Sequence, residues 1–375
     1  MERKIRIGII GLGNMGSGHA RSILAGRCPE IELTAAADVR AERLEKAKSE
    51  YPESVKLFTD AEAMLASGLI DACIVAVPHY DHPFYAAACL ERGIHVMVEK
   101  PICVYTAQAR QMLDAAKKSS AAFGVMFNQR TNPLYREMRR IVHSGEYGSV
   151  RRCNWIITDW YRPRAYYESG GWRATWAGDG GGVLLNQCPH QLDLWQWICG
   201  MPARIDAHIH CGKWHDIETE DDVTAYAEYP GGATGVFIAS TGDDPGTNRF
   251  EITFDRGKLL AENGRLTLWE LPEPEQVFSA SAQSPFSRQT PAVREIELSG
   301  DNPQHVGVLN AFAAHILRGE PMIAEGEEGL NSLMISNAIY LSSWLGRMID
   351  LPIDDRLYYE ELKKRIDSSK YGKHS

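Results

Sequence analysis

The sequence predicts an α/β protein: a doubly wound parallel sheet in its first third, followed by a second α/β part built mainly on antiparallel strands. Three observations predict it. Short β-branched runs alternate with segments of helical spacing up to about residue 125. The strand runs there are apolar almost throughout, as burial on both faces of a parallel sheet requires. Beyond Val150 strand patterns predominate and turn residues separate them. The division expected is residues 1–124 and 125–375.

Taken in order, the strand candidates of the first part are residues 5–10, 33–37, 72–77, 95–98 and 122–127. Between the first two, Ala20, Ile23 and Leu24 stand three and four apart, the spacing of one helix face. Thr59 and Glu62 have the capping-box pattern that would start another helix. In the second part the strands are 151–158, 203–210, 223–229, 234–241 and 250–254, with Pro230-Gly231-Gly232 as a turn between two of them. A helical stretch, 183–198, interrupts them, and helices near 306–317 and 329–347 close the chain. Residues 273–291, rich in Pro, Ser and Gln without periodicity, read as an exposed loop. No internal repeat is visible.

Composition narrows the function. A net charge of −9 with no run of basic residues repels phosphate backbones and anionic headgroups, which excludes nucleic acid and membrane surfaces as expected partners. The first apolar run is too short for a signal-peptide core and no stretch reaches transmembrane length, so a cytoplasmic protein is expected. The eight cysteines show neither CxxC pairs nor regular spacing and are read as reduced thiols. His208, His210, Cys211, His215 and Asp216 lie close together. On a strand, however, His208 and His210 share a face while Cys211 points away, so no metal is expected, and His215 is placed near the substrate mouth instead.

Gly11-Leu12-Gly13-Asn14-Met15-Gly16 fits the GxGxxG pattern between an apolar strand and a helix. The first two glycines permit a tight turn and close approach of a pyrophosphate to the helix N-terminus, and the third lets helix and strand pack closely. Asp38, 22 residues beyond Gly16, falls where a carboxylate would bind the adenosine ribose hydroxyls. It would repel a 2′-phosphate, so NAD is the expected cofactor, with Arg40 leaving NADP as a lesser option.

Four ordered segments carry a wider resemblance: GLGNMG at 11–16, VPHYDHPFYAAACLERGIHVMVEKP at 77–101, GWRATWAGDGGGVLLNQCPHQLD at 171–193 and EDDVTAYAEYPGGATGVF at 220–237. With them the chain resembles the Gfo/Idh/MocA family of oxidoreductases over almost its whole length. The resemblance implies a Rossmann domain followed by an α/β domain whose large open sheet makes subunit contacts, hence a homodimer or homotetramer. It implies a carbohydrate or polyol substrate and hydride transfer to or from nicotinamide. Lys100 of Glu99-Lys100-Pro101 corresponds to the family lysine beside the nicotinamide and the substrate hydroxyl. Val77, Pro78, His82, Glu99 and Asn128 fall with it on the cofactor side, although His82 also suits a plain helix-entry residue. Arg130 falls on the substrate side.

The second signature of the family is a histidine followed three residues later by an aspartate, here His190 and Asp193. On a continuous helix Asn186, His190 and Asp193 share one face; Pro189 must either kink that helix or begin it, and a break there would displace Asn186. Removal of the hydroxyl proton suits a neutral imidazole, so His190 is the expected general base. Lys100 would polarise the oxygen, while Asn186 and Asp193 would hold substrate hydroxyls. Many relatives have Asp at the position of Asn186 and a small residue at that of Cys188. Tyr161, Trp172 and Arg173, with Trp160, Arg164 and Tyr167, either line a carbohydrate pocket or pack a loop. Two rival activities share the motifs: a glycosidase working through transient oxidation by tightly held NAD, and a non-catalytic NAD-sensing regulator.

Overall fold

The computed structural model describes residues 3–371. They pack as two units. The first runs to Thr131 and takes in Asn302–Leu333; the second comprises Asn132–Asp301 and resumes at Met334. The division thus differs from the single boundary after residue 124, because a late segment returns to the first unit.

In the first unit β1 (Ile5–Ile10), β2 (Ile31–Ala37), β3 (Lys56–Phe58), β4 (Ala72–Val75), β5 (His95–Val98) and β6 (Phe123–Val125) form one sheet. Its order is β3-β2-β1-β4-β5-β6 and every pairing is parallel. The direction of winding reverses between β1 and β4, and the crevice at their carboxyl ends is where such sheets hold ligands. Ile5, Ile7, Ile9, Leu33, Ala72 and Ile74 fill the core together with Val308, Leu309, Phe312 and Ala313 of helix Gln304–Arg318. Burial of side chains such as Leu309 and Phe312 stabilises by about 1.5–3 kcal/mol each, which is why this late helix belongs here. Several sequence expectations shift, the strand expected at 122–127 among them, which spans only Phe123–Val125. The strand expected at 72–77 ends at Val75, and helix Ala61–Ala66 is capped by Asp60, whose carboxylate accepts from the Glu62 and Ala63 amides at 3.2 Å, in place of Thr59. Both residue types cap well, and the helix simply starts one residue later than expected.

The second unit contains β7 (Val150–Ile157), β8 (Arg204–Cys211), β9 (Glu220–Glu228), β10 (Thr234–Ser240), β11 (Asn248–Phe254), β12 (Gly257–Glu262), β13 (Arg265–Glu270), β14 (Ala292–Ile296) and β15 (Ile349–Asp350). The sheet order is β14-β13-β12-β11-β7-β10-β9-β8-β15; β7 and β10 are parallel and the other pairs antiparallel. Ala225, Phe237, Trp155, Phe250 and Ala261 pair directly across five strands and are all buried. Trp155 lies flat on Phe250, centroids 4.4 Å apart. Two helices, Pro133–Ser144 and Pro189–Cys199, use this face: Tyr135 meets Trp155 at 5.8 Å, and Trp195 meets Phe237 at 5.5 Å. Aromatic rings bury on the order of 200 Å² each, so Trp195 fixes the helix that carries His190. The helix expected at 183–198 begins only at Pro189, its first residue; Val183 to Gln187 form turns before it. The stretch 273–291 is exposed as expected but contains a short helix, Glu275–Ser281. Among the described residues no helix is long and apolar enough to cross a membrane.

Candidate active site

In the first unit the glycine turn is built for close approach. Gly11 has φ +93°, and a Cβ there would come within 2.4 Å of the Ala76 carbonyl; a Cβ on Gly16 would lie 1.9 Å from the Gly11 carbonyl. Gly13 is the N-cap of helix Asn14–Leu24, with no side chain capping it. The Asn14, Met15 and Gly16 amides therefore have no intrahelical carbonyl to bond, and Asn14 and Met15 are exposed. Asp38, buried after β2, accepts from the Leu12 amide at 2.7 Å, the Arg40 amide at 2.9 Å and Arg43 Nη1 at 3.1 Å. Val77 lies beside Gly11, its Cγ1 3.2 Å from where a Cβ would stand, and Pro78 follows it, exposed. This cradle fits a dinucleotide: donors for a diphosphate at the helix start, and an acid at the end of β2 for a ribose diol. Arg43, which pairs with Asp38, was not singled out from the sequence.

The turn after β5 is held from behind. His19 Nε2 lies 2.6 Å from Glu99 Oε1, with both side chains almost inaccessible, and Glu99 Oε2 accepts from the Lys100 amide at 3.2 Å. The His305 ring meets His19 edge-on at 5.5 Å. Burial pushes the Glu99 carboxyl up, but the His19 hydrogen bond and the charges of His19, His305 and Lys100 overcome this and hold it at about 2. An ionised Glu99 thus anchors the main chain at Lys100, which is partly exposed and joined to Pro101 by a cis peptide. Glu99 was expected to bind cofactor, yet its two oxygens are engaged within the protein.

Two further expectations change here. His82 is buried, its Nδ1 2.8 Å from the Pro101 carbonyl and its Nε2 2.9 Å from the Val77 carbonyl. Burial, helped by His79, lowers its pKa to about 4 although both carbonyls oppose the fall, and the ring bridges the loops after β4 and β5. Arg130 is buried in an ion pair with Glu328 at 2.6 Å and stacks over Phe127, which explains its position structurally. Asn128 donates to Gln304, while its buried Oδ1 has no partner among the described residues, consistent with a place for a ligand donor.

In the second unit His190 is the second residue of helix Pro189–Cys199 and is partly exposed. Asp193, one turn on, is buried and accepts from Gln196 Nε2 at 3.0 Å. Because the helix begins at Pro189, Asn186 does not lie on its face. Asn186 instead joins a polar network: its Nδ2 donates to Asp179 at 3.1 and 3.2 Å, and its Oδ1 accepts from Tyr166 at 2.9 Å. Asn186 is thus backed by the carboxylate of the buried Asp179. Arg173 stacks over Trp172 and Tyr166 at 4.6 and 4.7 Å and donates to the Tyr166 hydroxyl at 3.0 Å, so these residues form one wall. Tyr161 is exposed.

Glu220 supports the glycine run that leads to His190. It is fully buried and accepts from the Gly182 and Leu184 amides at 2.9 Å and from the Tyr340 hydroxyl at 2.7 Å. Burial pushes its carboxyl up to about 7 even though all three donors oppose the rise. Among the described residues no cluster of three or more His, Cys, Asp or Glu could hold a metal, and none of the eight cysteines forms a disulfide.

Comparison with known proteins agrees with both units. A model of an oxidoreductase family with an NAD-binding Rossmann fold matches residues 5–127, and a model of the GFO/IDH/MocA C-terminal domain matches 135–260. Myo-inositol 2-dehydrogenase of Thermotoga maritima is 25% identical over 344 residues, covering 89% of this chain and 95% of that protein. D-glucoside 3-dehydrogenase of Escherichia coli is 26% identical over 374 residues, covering 92% and 97%. The crystal structure of the WlbA dehydrogenase from Bordetella pertussis, in complex with NADH and UDP-GlcNAcA, aligns with TM-score 0.80 at 26% identity over 94% of this chain and 99% of that one.

Proposed function

Because the chain belongs to the Gfo/Idh/MocA family of oxidoreductases and its first unit is an NAD-binding Rossmann domain, we propose that it oxidises a secondary hydroxyl of a sugar, cyclitol or glycoside, reversibly, with NAD. What supports this reading most is the turn Glu99-Lys100-Pro101, held by the buried His19–Glu99 pair in the same unit as the dinucleotide cradle.

The Gly11–Gly16 turn and Asp38 would hold the cofactor, which when bound supplies the hydride acceptor. The Lys100 ammonium bonds the alcohol oxygen and stabilises the negative charge that develops on it. His190 takes the hydroxyl proton as general base. Asp179, through Asn186 and Tyr166, orients the wall against which the sugar ring rests. Tyr226, Val236, Ile238 and Ile156 share the sheet face opposite Trp155 and are at least partly exposed, an apolar area that suits pairing of two copies into a dimer or tetramer. Light scattering on the eluting protein tests that assembly.

The activity is tested with a panel of inositols, methyl and aryl glucosides and a UDP-sugar incubated with NAD, reading NADH and released aglycone together. NADH is expected without aglycone. Lys100→Ala and His190→Ala are each expected to lower kcat about 10²–10⁴-fold with NAD binding kept. Unchanged turnover in both variants would refute the reading.

A further inference from the structure

We propose that His215 is a specificity-determining residue of the substrate site, its Nε2 accepting a hydrogen bond from one hydroxyl of the substrate ring. The inference rests on the dehydrogenase reading above and deepens it.

The loop between β8 and β9 is organised by a single buried acid. Asp221 Oδ1 accepts from the Lys213 amide at 3.0 Å; Oδ2 accepts from the Trp214 and His215 amides at 2.9 Å and faces His215 Nδ1 at 3.1 Å. With N–H donors converging on it the carboxylate acts as acceptor, so Nδ1 carries the imidazole proton and Nε2 presents a lone pair. Among the described residues nothing bonds Nε2, and the side chain keeps 12% of its exposure. The neighbours tie the loop to β9: Trp214 Nε1 donates to Asp222 at 3.2 Å, and Lys213 Nζ pairs with Asp222 at 3.0 Å. Trp214 also lies so close over Gly242 that a Cβ there would come within 2.4 Å of its ring.

His215 extends the wall already described. Its ring is 4.9 Å from that of Tyr167, whose hydroxyl is 2.8 Å from Thr241 Oγ1. Tyr167 in turn meets Tyr166 at 5.2 Å, and Tyr166 bonds Asn186 and Arg173. Flat apolar rings alternate with oriented polar atoms along it, the surface that a polyhydroxylated ring matches with its C–H faces and hydroxyls. A ring-nitrogen acceptor at the end of the wall selects an O–H donor there; a carboxylate or phosphate offers only acceptors.

The experiment is a cycle of variants against analogues. Wild type and His215→Ala are assayed with methyl β-D-glucopyranoside and its 2-, 4- and 6-deoxy analogues, and with myo-inositol and its monodeoxy analogues. His215→Ala is expected to raise KM about 3- to 10-fold on a parent compound with a smaller change in kcat, the loss of one uncharged hydrogen bond. That penalty should vanish on one deoxy analogue and persist on the others. An equal penalty on every analogue, or none, overturns the proposal. If His215→Ala unfolds, His215→Asn carries the same comparison. Loss of turnover in Lys100→Ala together with no discrimination by His215→Ala sinks this inference alone. No turnover of any compound by wild type sinks both it and the reading beneath it.

Discussion

Glu99 and Glu220 are both fully buried beneath a loop that carries a candidate catalytic group, yet their surroundings drive them in opposite directions. Glu99 faces the imidazole of His19 and is held at about 2; Glu220 faces two amides and a phenol and is pushed up to about 7. Hydrogen-bond donors surround both. What differs is formal charge: cationic and ionisable partners near Glu99 outweigh desolvation, whereas the neutral donors at Glu220 do not. The first unit therefore fixes its loop with an ionised carboxylate, and the second fixes its loop with an acid poised between protonation states.

The contrast can be broken by substitution. Glu220→Ala is expected to destabilise most, by about 4–6 kcal/mol, because the Gly182 and Leu184 amides and the Tyr340 hydroxyl lose their acceptor in a dry interior; urea unfolding measures it. His19→Ala should follow at about 1–3 kcal/mol, because the buried Glu99 carboxylate loses a hydrogen-bond partner. An effect below 1 kcal/mol in the same assay would show that Glu99 is not charged when folded.

pH sharpens the same contrast. Glu99 binds its proton less readily folded than unfolded, so its contribution is complete above pH about 4.5 and disappears as pH falls through about 2. Glu220 is the reverse: its contribution is complete below about 4.5 and is lost as pH rises through about 7. Each window is on the order of 3 kcal/mol. Glu99→Gln should flatten only the acidic window and Glu220→Gln only the upper one in urea titrations across pH. Tyr340→Phe has the smallest effect, about 1 kcal/mol, and should move the upper window to higher pH, since the phenol opposes the rise of Glu220.

Much of the first unit was legible because its signals are local. The strand 5–10, the glycine turn and Asp38 all lie within one βαβ repeat, where spacing alone sets geometry. The sheet of the second unit was read only in part. β12 to β15 went unseen, although Asn263-Gly264, both at positive φ between β12 and β13, is the dipeptide that marks a tight hairpin. Asn186 shares a face with His190 only on a continuous helix, and Pro189 instead starts a new one. The supports behind the site were not legible at all: His19 meets Glu99 across 80 residues and Tyr340 meets Glu220 across 120. Such pairs are made by the fold and leave no period in the sequence. Arg130 and His82 have the chemistry of ligand-binding groups, but burial turns both to structural use.

The return of Asn302–Leu333 to the first unit sets an order of events during synthesis. The six parallel strands leave the ribosome early, but Val308, Leu309, Phe312 and Ala313, which close their core, follow almost two hundred residues later. The nucleotide fold must therefore wait, incompletely covered, while most of the second sheet is translated. A chain terminated after Thr131 would expose that apolar gap and call on chaperones, and grafting this fold elsewhere requires two splice points instead of one.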